Sequence, residues 1–178
     1  APYDAFVASI DTNGNFALKR KLASPNKSEK ITDIIINGTD VYASLEVAAN
    51  NSTTDVDVAV AKINFGTTAI TVDWINQYAS SLYSMLNSSI SIDEFNEIYI
   101  TCGLRSKADN TTRDSWWIGK IDTTGAIIWN YRYVAPGREL TMAATSAIDI
   151  FGDLNIAFTR IDNTNTLTTI DTVKIGYD

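Results

Sequence analysis

Asp40-Val41-Tyr42-Ala43-Ser44 recurs 57 residues later as Glu97-Ile98-Tyr99-Ile100-Thr101, and again more loosely as Asn155-Ile156-Ala157-Phe158-Thr159. The same spacing ties Asp4-Ala5-Phe6-Val7-Ala8-Ser9-Ile10-Asp11 to Asp57-Val58-Ala59-Val60-Ala61-Lys62-Ile63-Asn64, to residues 114–122 and to residues 171–178. Self-similarity at this length marks an architecture built from repeated supersecondary units, each too small to bury its own apolar face.

Working outward from those segments, the pattern inside each period is that of short strands. Val41, Ala43, Leu45 and Val47 alternate with Tyr42, Ser44 and Glu46, and Ile70, Val72 and Trp74 alternate with Thr71 and Asp73. Strict alternation is the signal of a strand with distinct faces. Thr12-Asn13-Gly14-Asn15, Asn37-Gly38-Thr39-Asp40, Phe65-Gly66-Thr67 and Thr123-Thr124-Gly125 separate the runs. Asn and Gly tolerate positive φ and so suit the tight turns of antiparallel hairpins. The one segment with a helical option is Ala79 to Ser89, whose serines suit a loop equally well.

Four strand types follow. The first lies near 31–36, 88–93 and 145–150, the second near 41–48, 98–104 and 156–161, the third at 4–11, 57–64, 114–122 and 171–178, and the fourth at 16–22, 70–78 and 126–134. Leu18, Trp74 and Trp129 fall in register, as do Leu22, Tyr78 and Tyr133, which predicts one recurring seam of large side chains. The fold expected is all-β: about three four-stranded antiparallel propeller-type blades plus a surplus terminal strand, in a single repeat domain over 1–178. Its parts are a partial blade at 1–22, blades at 31–78 and 88–134, and a partial blade at 145–178. A β-sandwich is the alternative.

The segments 4–15 and 37–42 resemble the bacterial-type β-propeller repeat known as SBBP, in which a strand of the form D-A-F-V-A-K-L-D precedes a Gly-containing turn and a further strand ends in G-N-V-Y-V. The chain departs from that form at Phe65-Gly66, in one extra residue between Asp114 and Asp122, and in the shortened last copy. The resemblance implies a scaffold used outside the cell and brings no catalytic residues with it. Closed propellers use about four to eight blades, so three and a surplus strand call for completion by copies of the chain or by neighbouring blades of a longer one. Symmetric exchange gives a ring, and head-to-tail exchange without closure gives a filament.

Composition narrows the partners. With 21 acidic and 14 basic side chains the net charge is −7, which repels nucleic-acid phosphates and anionic lipid. No apolar run reaches the ~18 residues of a membrane helix. Ala1 in first place predicts processing or excision. Histidine is absent, which removes the commonest general base and metal ligand. Cys102 is the only cysteine and shares a strand face with Ile98 and Ile100, so a buried, inert thiol is expected.

Six Asn-X-Ser/Thr sequons, at Asn26, Asn37, Asn50, Asn51, Asn87 and Asn110, fall in segments read as loops and predict an extracellular or cell-surface glycoprotein. Trp116 and Trp117 are adjacent, so a strand must point them to opposite faces. Both suit core packing between stacked sheets, and an exposed indole would contact carbohydrate. By simple alignment Val60 and Val7 are the counterparts of Trp117. Asp55 with Asp57, Asp93 with Glu94 and Glu97, and Asp109 with Asp114 read as solvated turn acids ahead of calcium ligands or a glycosidase pair. A calcium ion at the corner Asp11-Thr12-Asn13-Gly14-Asn15 is the one cofactor considered.

The residues taken together predict an extracellular structural or adhesive protein that self-associates through incomplete blades and strand exchange. No enzyme activity, catalytic residue, cofactor or metal site is expected. The alternative is a lectin-like cell-surface module contacting glycans through Trp116 or Trp117.

Overall fold

The computed structural model describes residues 4–22, 24–49, 52, 54–110, 112, 115–134, 139–161 and 168–176. Every regular element among them is a strand. β1 (Ala5–Ile10) and β2 (Phe16–Leu22) form a hairpin. β3 (Lys27–Asn37), β4 (Asp40–Ala49), β5 (Val56–Phe65) and β6 (Ile70–Tyr78) make a four-stranded meander. A second meander contains β7 (Tyr83–Ile92), β8 (Ile98–Ser106), β9 (Ser115–Ile121) and β10 (Ile127–Val134). The fourth sheet holds β11 (Glu139–Ile148), β12 (Leu154–Ile161) and β13 (Thr168–Ile175). All pairings are antiparallel between chain neighbours, and no sheet closes on itself.

The strand types read from the sequence recur in these sheets, with two corrections. First strands begin several residues earlier than alternation indicates, and the stretch read as helix or loop at 79–89 is largely the start of β7. The cause is a bulge in every first strand, between Ile31 and Asp33 in β3, Leu86 and Ser89 in β7, and Leu140 and Ala144 in β11. One extra residue in β3 and in β7 breaks the period-two pattern while the strand continues, and two extra residues interrupt the pairing in β11, so the stretch before each bulge does not read as part of the strand that follows it.

A five-residue Asp turn closes four of the hairpins. Asp11, Asp93, Asp122 and Asp149 each accept backbone N–H bonds from residues two and four ahead. The fourth residue of each takes positive φ: Gly14 at 85°, Asn96 at 65°, Gly125 at 81° and Gly152 at 83°. Only Gly, or Asn with its compact polar side chain, enters that region cheaply.

The sheets pack in series. Ala5, Val7 and Leu22 of the first sheet meet Val41, Ala43, Ala61 and Ile63 of the second. The opposite face of the second sheet, with Tyr42, Val58, Val60 and Tyr78, packs on Ile98, Ile100, Cys102 and Ile121 of the third. The far face of the third, with Tyr99, Trp116 and Ile118, packs on Leu154, Ile156 and Phe158 of the fourth. Both middle sheets are thus apolar on two faces, which is why β4, β5, β8 and β9 read as near-continuous buried runs.

Facing directions settle the alignment of the copies. Val41, Ile98 and Leu154 occupy one position, opposite Ile63, Ile121 and Ile175. The third copy of the opening motif therefore starts at Asp153, two residues before the start read from the sequence. A two-residue slip keeps every side chain on its face, so alternation cannot detect it. The extra residue in the third copy has the opposite effect. Trp117 faces the preceding sheet with Ile121, as Ala59 does with Ile63, so its counterparts are Ala59 and Phe6 and not Val60 and Val7. The seam of large residues stands: Leu18 and Leu22, Trp74 and Tyr78, and Trp129 and Tyr133 each pack toward the following sheet.

Candidate functional site

One lysine position recurs as Lys62, Lys120 and Lys174, each followed by isoleucine and each on a third strand. Its ammonium reaches the acid that opens the second strand of the same sheet. Lys62 pairs with Asp40 at 2.8 Å, Lys174 with Asp153 at 2.6 Å, and Lys120 with Glu97. Aromatic rings lie beneath: Tyr42 at 5.6 Å from Lys62 and Tyr99 at 4.8 Å from Lys120. The middle copy is the buried one, with Lys120 4 % exposed and Asp93 as a second partner at 3.4 Å. Burial would lower the Lys120 pKa, but the hydrogen bonds to Glu97 and Tyr99 and the charge of Asp93 drive it above the ordinary lysine value. Sequence reasoning missed these clamps, although the repeated Lys-Ile pair was a signal for them.

Neighbouring sheets are also latched by polar side chains. Trp74 Nε1 donates to Thr123 O at 3.0 Å, Asn76 Nδ2 to Thr124 O at 3.1 Å and Tyr78 Oη to Gly125 O at 2.9 Å. Three side chains of β6 thereby grip the Asp122 turn of the next sheet. A Cβ at Gly125 would collide with Asn76 and Trp74. On the inner side, Asp33 Oδ2 accepts from Ser89 Oγ at 2.8 Å and Ile90 N at 3.0 Å, and Glu46 Oε1 accepts Asn87 N at 2.6 Å.

The acidic groups singled out in the sequence are engaged in such contacts. Asp55 pairs with Lys107, and Asp57 Oδ2 accepts Gln77 Nε2 at 2.6 Å. Asp93 and Glu97 hold Lys120, Glu94 is exposed, and Asp109 caps Thr112. Asp114 lies outside the described residues. The Asp11 carboxylate, considered for calcium, accepts from Asn13 N, Asn15 N and Asn15 Nδ2, and those bonds, led by the Asn15 amide, hold it below the usual range. Among the described residues no group of three or more Asp, Glu or Cys is arranged to hold a metal ion.

Cys102 is fully buried between Ile100 and Leu104, and burial pushes its thiol well above the ordinary value. The thiolate that reactivity requires is therefore suppressed.

Sequon asparagines fall in three settings. Asn26 and Asn110 are exposed in turns at φ of 58° and 56°. Asn37 ends β3 with its amide bonded to Asn96, and Asn87 sits in the β7 bulge at φ 51°. The loop expectation is corrected for these last two, because a hairpin end and a bulge accept the same Asn that a loop does. Asn50 and Asn51 lie outside the described residues.

The adjacent tryptophans separate as strand geometry requires. Trp116 is 2 % exposed, edge-on to Phe158 with ring centroids 3.8 Å apart, so the fourth sheet covers it and it offers no surface for a sugar. Trp117 points the other way and lines a cleft of about 620 Å³ at the outer end of the second and third sheets. The cleft is bounded by Tyr78, the connection 79–82, Tyr83 and the β10 side chains Asn130 and Arg132. Tyr78 stacks on Trp117 at 6.0 Å and 29°, and Arg132 Cζ lies 4.3 Å from the Tyr83 ring centroid. No protein-family model matches the chain, and no curated protein resembles it closely enough to count as a relative.

Proposed function

We propose that the chain is a propeller-type structural module of the SBBP-like kind that associates head to tail with copies of itself or with further blades of the same construction. The observation that carries this is the exposure of two faces that every other copy buries. Phe6 is 64 % exposed where its counterpart Ala59 is buried, and Trp117 partly buried, against a preceding sheet. Ile170 is 78 % exposed where Ala5, Val58 and Trp116 are covered by a following one.

The two open faces are the two halves of the interface that the chain already makes three times. Ile10 and Phe16 extend the apolar area beside Phe6, at 60 % and 69 % exposed. Contiguous exposed apolar surface on a folded protein marks an interaction site. Stacking Ile170 of one copy on Phe6 of the next would repeat the internal packing, closing to a ring when the rotations complete a circle and running as a filament otherwise. In this reading the protein is extracellular, structural or adhesive, glycosylated at exposed sequons such as Asn26 and Asn110, and has no enzymatic role.

Sedimentation velocity over a wide concentration range tests it. Association that Phe6→Asp and Ile170→Asp each abolish, with the fold intact by circular dichroism, is the expected result. A monomer at every concentration overturns the reading. Mass spectrometry of the natural protein tests the compartment: unmodified Asn26 and Asn110 count against a glycosylated surface protein.

A further inference from the structure

We infer that the free edge of β1 accepts one further strand, an extended peptide segment of the second-strand type that pairs antiparallel with β1 and lays alternate side chains on Ile34 and Ile36. The inference rests on the reading above for the kind of partner, and adds the edge, the floor and the register.

The edge is set by strand type. The other third strands each have a second strand beside them: β4 next to β5, β8 next to β9 and β12 next to β13. β1 is a strand of the same type, yet among the described residues it pairs with β2 alone. Its other edge carries a row of backbone N–H and C=O groups, the template on which an extended peptide adds to a sheet.

The floor is an uncovered part of β3. Ile34 stands opposite Ala43 and Ile36 opposite Val41, so both face the first sheet. They are 49 % and 68 % exposed. Their counterparts in β7 are Ile90 and Ile92, opposite Ile100 and Ile98. Ile90 is 4 % exposed, and both pack in the cluster that contains Tyr42. Tyr42 belongs to a second strand, the type that the first sheet lacks, so one missing neighbour accounts for both exposed isoleucines.

A cleft of about 380 Å³ continues this groove, lined by Asp4, Ala5, Phe6, Glu29, Lys30 and Ile31. Glu29 is buried, with Oε1 accepting Ser24 N at 2.8 Å and Oε2 without a hydrogen-bond donor among the described residues. β7 has Met85 at this position, opposite Leu104 as Glu29 is opposite Val47. The carboxylate is thus particular to the copy with the open groove, and a donor from the occupant would satisfy it.

The internal pairings give the register. Val41 opposes Ile63 and Leu45 opposes Ala59 in the second sheet, and Ile10 and Phe6 hold those places in β1. A second strand on β1 therefore sets position 41 opposite Ile10 and position 45 opposite Phe6, with positions 42 and 44 over the isoleucine floor.

The probe is a fluorescein-labelled peptide of residues 40–49, the chain's own second strand. Anisotropy is read on the dilute full chain, so that peptide binding and head-to-tail association can each fail alone. Saturable binding is expected, at least about tenfold tighter than for a peptide of the same composition in scrambled order, the scale of burying one isoleucine. Ile36→Asp should weaken it at least about tenfold at an unchanged denaturation midpoint, since Ile36 is exposed in the free chain. With Ile10→Cys protein, a peptide carrying Val41→Cys should form a disulfide and one carrying Leu45→Cys should not. Cys102 is buried and does not compete. No binding, equal binding of the scrambled peptide, unchanged affinity in Ile36→Asp, or equal cross-linking of the two peptides would overturn the inference.

Discussion

β1 and β5 carry the same pattern of alternating small and apolar residues, yet Phe6 is 64 % exposed and its counterpart Ala59 is 1 % exposed. The difference lies in what stands in front of each strand. β5 has a sheet on both sides, whereas among the described residues the first sheet is covered only by the second. The motif decides which side chain points toward which neighbour, and the neighbour decides whether that side chain is buried.

The strongest way to break this contrast between the middle and the ends is to compare the lysine clamps. Lys120→Ala leaves the buried Asp93 carboxylate without its cation and removes the partner of the half-buried Glu97, and should cost about 3–5 kcal/mol in urea denaturation. The Lys174 side chain is 52 % exposed, and Lys174→Ala should cost no more than about 1 kcal/mol. Equal losses would mean that burial does not distinguish the two copies. Trp116→Ala belongs with the first class, at about 3–5 kcal/mol for a buried aromatic.

The Asp turns sharpen the comparison at smaller scale. Gly14→Ala and Gly125→Ala both force a side chain into positive φ, costing about 1–2 kcal/mol each. Gly14 has open space around it, while a Cβ at Gly125 strikes the β6 latch. Thermal denaturation should therefore rank Gly125→Ala clearly below Gly14→Ala, and equal midpoints would remove the latch from the account.

pH offers a third contrast. The carboxyls of Asp11, Asp122 and Asp149 are held low, Asp11 by the Asn15 amide first, Asp122 by Thr124 and Asp149 by Lys174. Depressed values add stability above the unfolded pKa of about 3.9 and lose it as pH falls through the folded values, so unfolding should ease progressively below about pH 4. Cys102 and Lys120 are raised. Their contributions are complete below the unfolded values of about 8.5 and 10.4 and fade as pH rises beyond them. A denaturation series in which Cys102→Ala still shows the onset near pH 8.5 would remove the thiol as its source.

The smallest effect concerns the end face. Phe6→Ala should change the stability of the dilute protein by no more than about 0.5 kcal/mol, as for other exposed positions. A larger loss would show Phe6 already packed against something.

Legibility in the sequence varied with the physical signal. Strand type, the register of Trp74 with Trp129 and the burial of Cys102 were readable, because alternation and turn residues express local rules. The third copy of the opening motif was misplaced by two residues, since a period-two pattern looks the same after such a slip. The extra residue between Asp114 and Asp122 was legible, but its place before Trp116 was not, so Trp117 was matched to Val60 and Val7 when the insertion puts it on the face of Ala59 and Phe6. Trp117 was singled out, but Arg132 and Tyr83 were not. Nothing local marks an arginine for its cross-strand partner.

What the sequence alone determined is the repeat, the all-β class and the assignment of side chains to alternate faces, all consequences of backbone geometry and short-range preference. Which faces are covered, which lysine clamp lies inside and which tryptophan meets solvent were decided only when the sheets stacked. Burial is a property of the whole assembly of surfaces, and no strand carries it by itself.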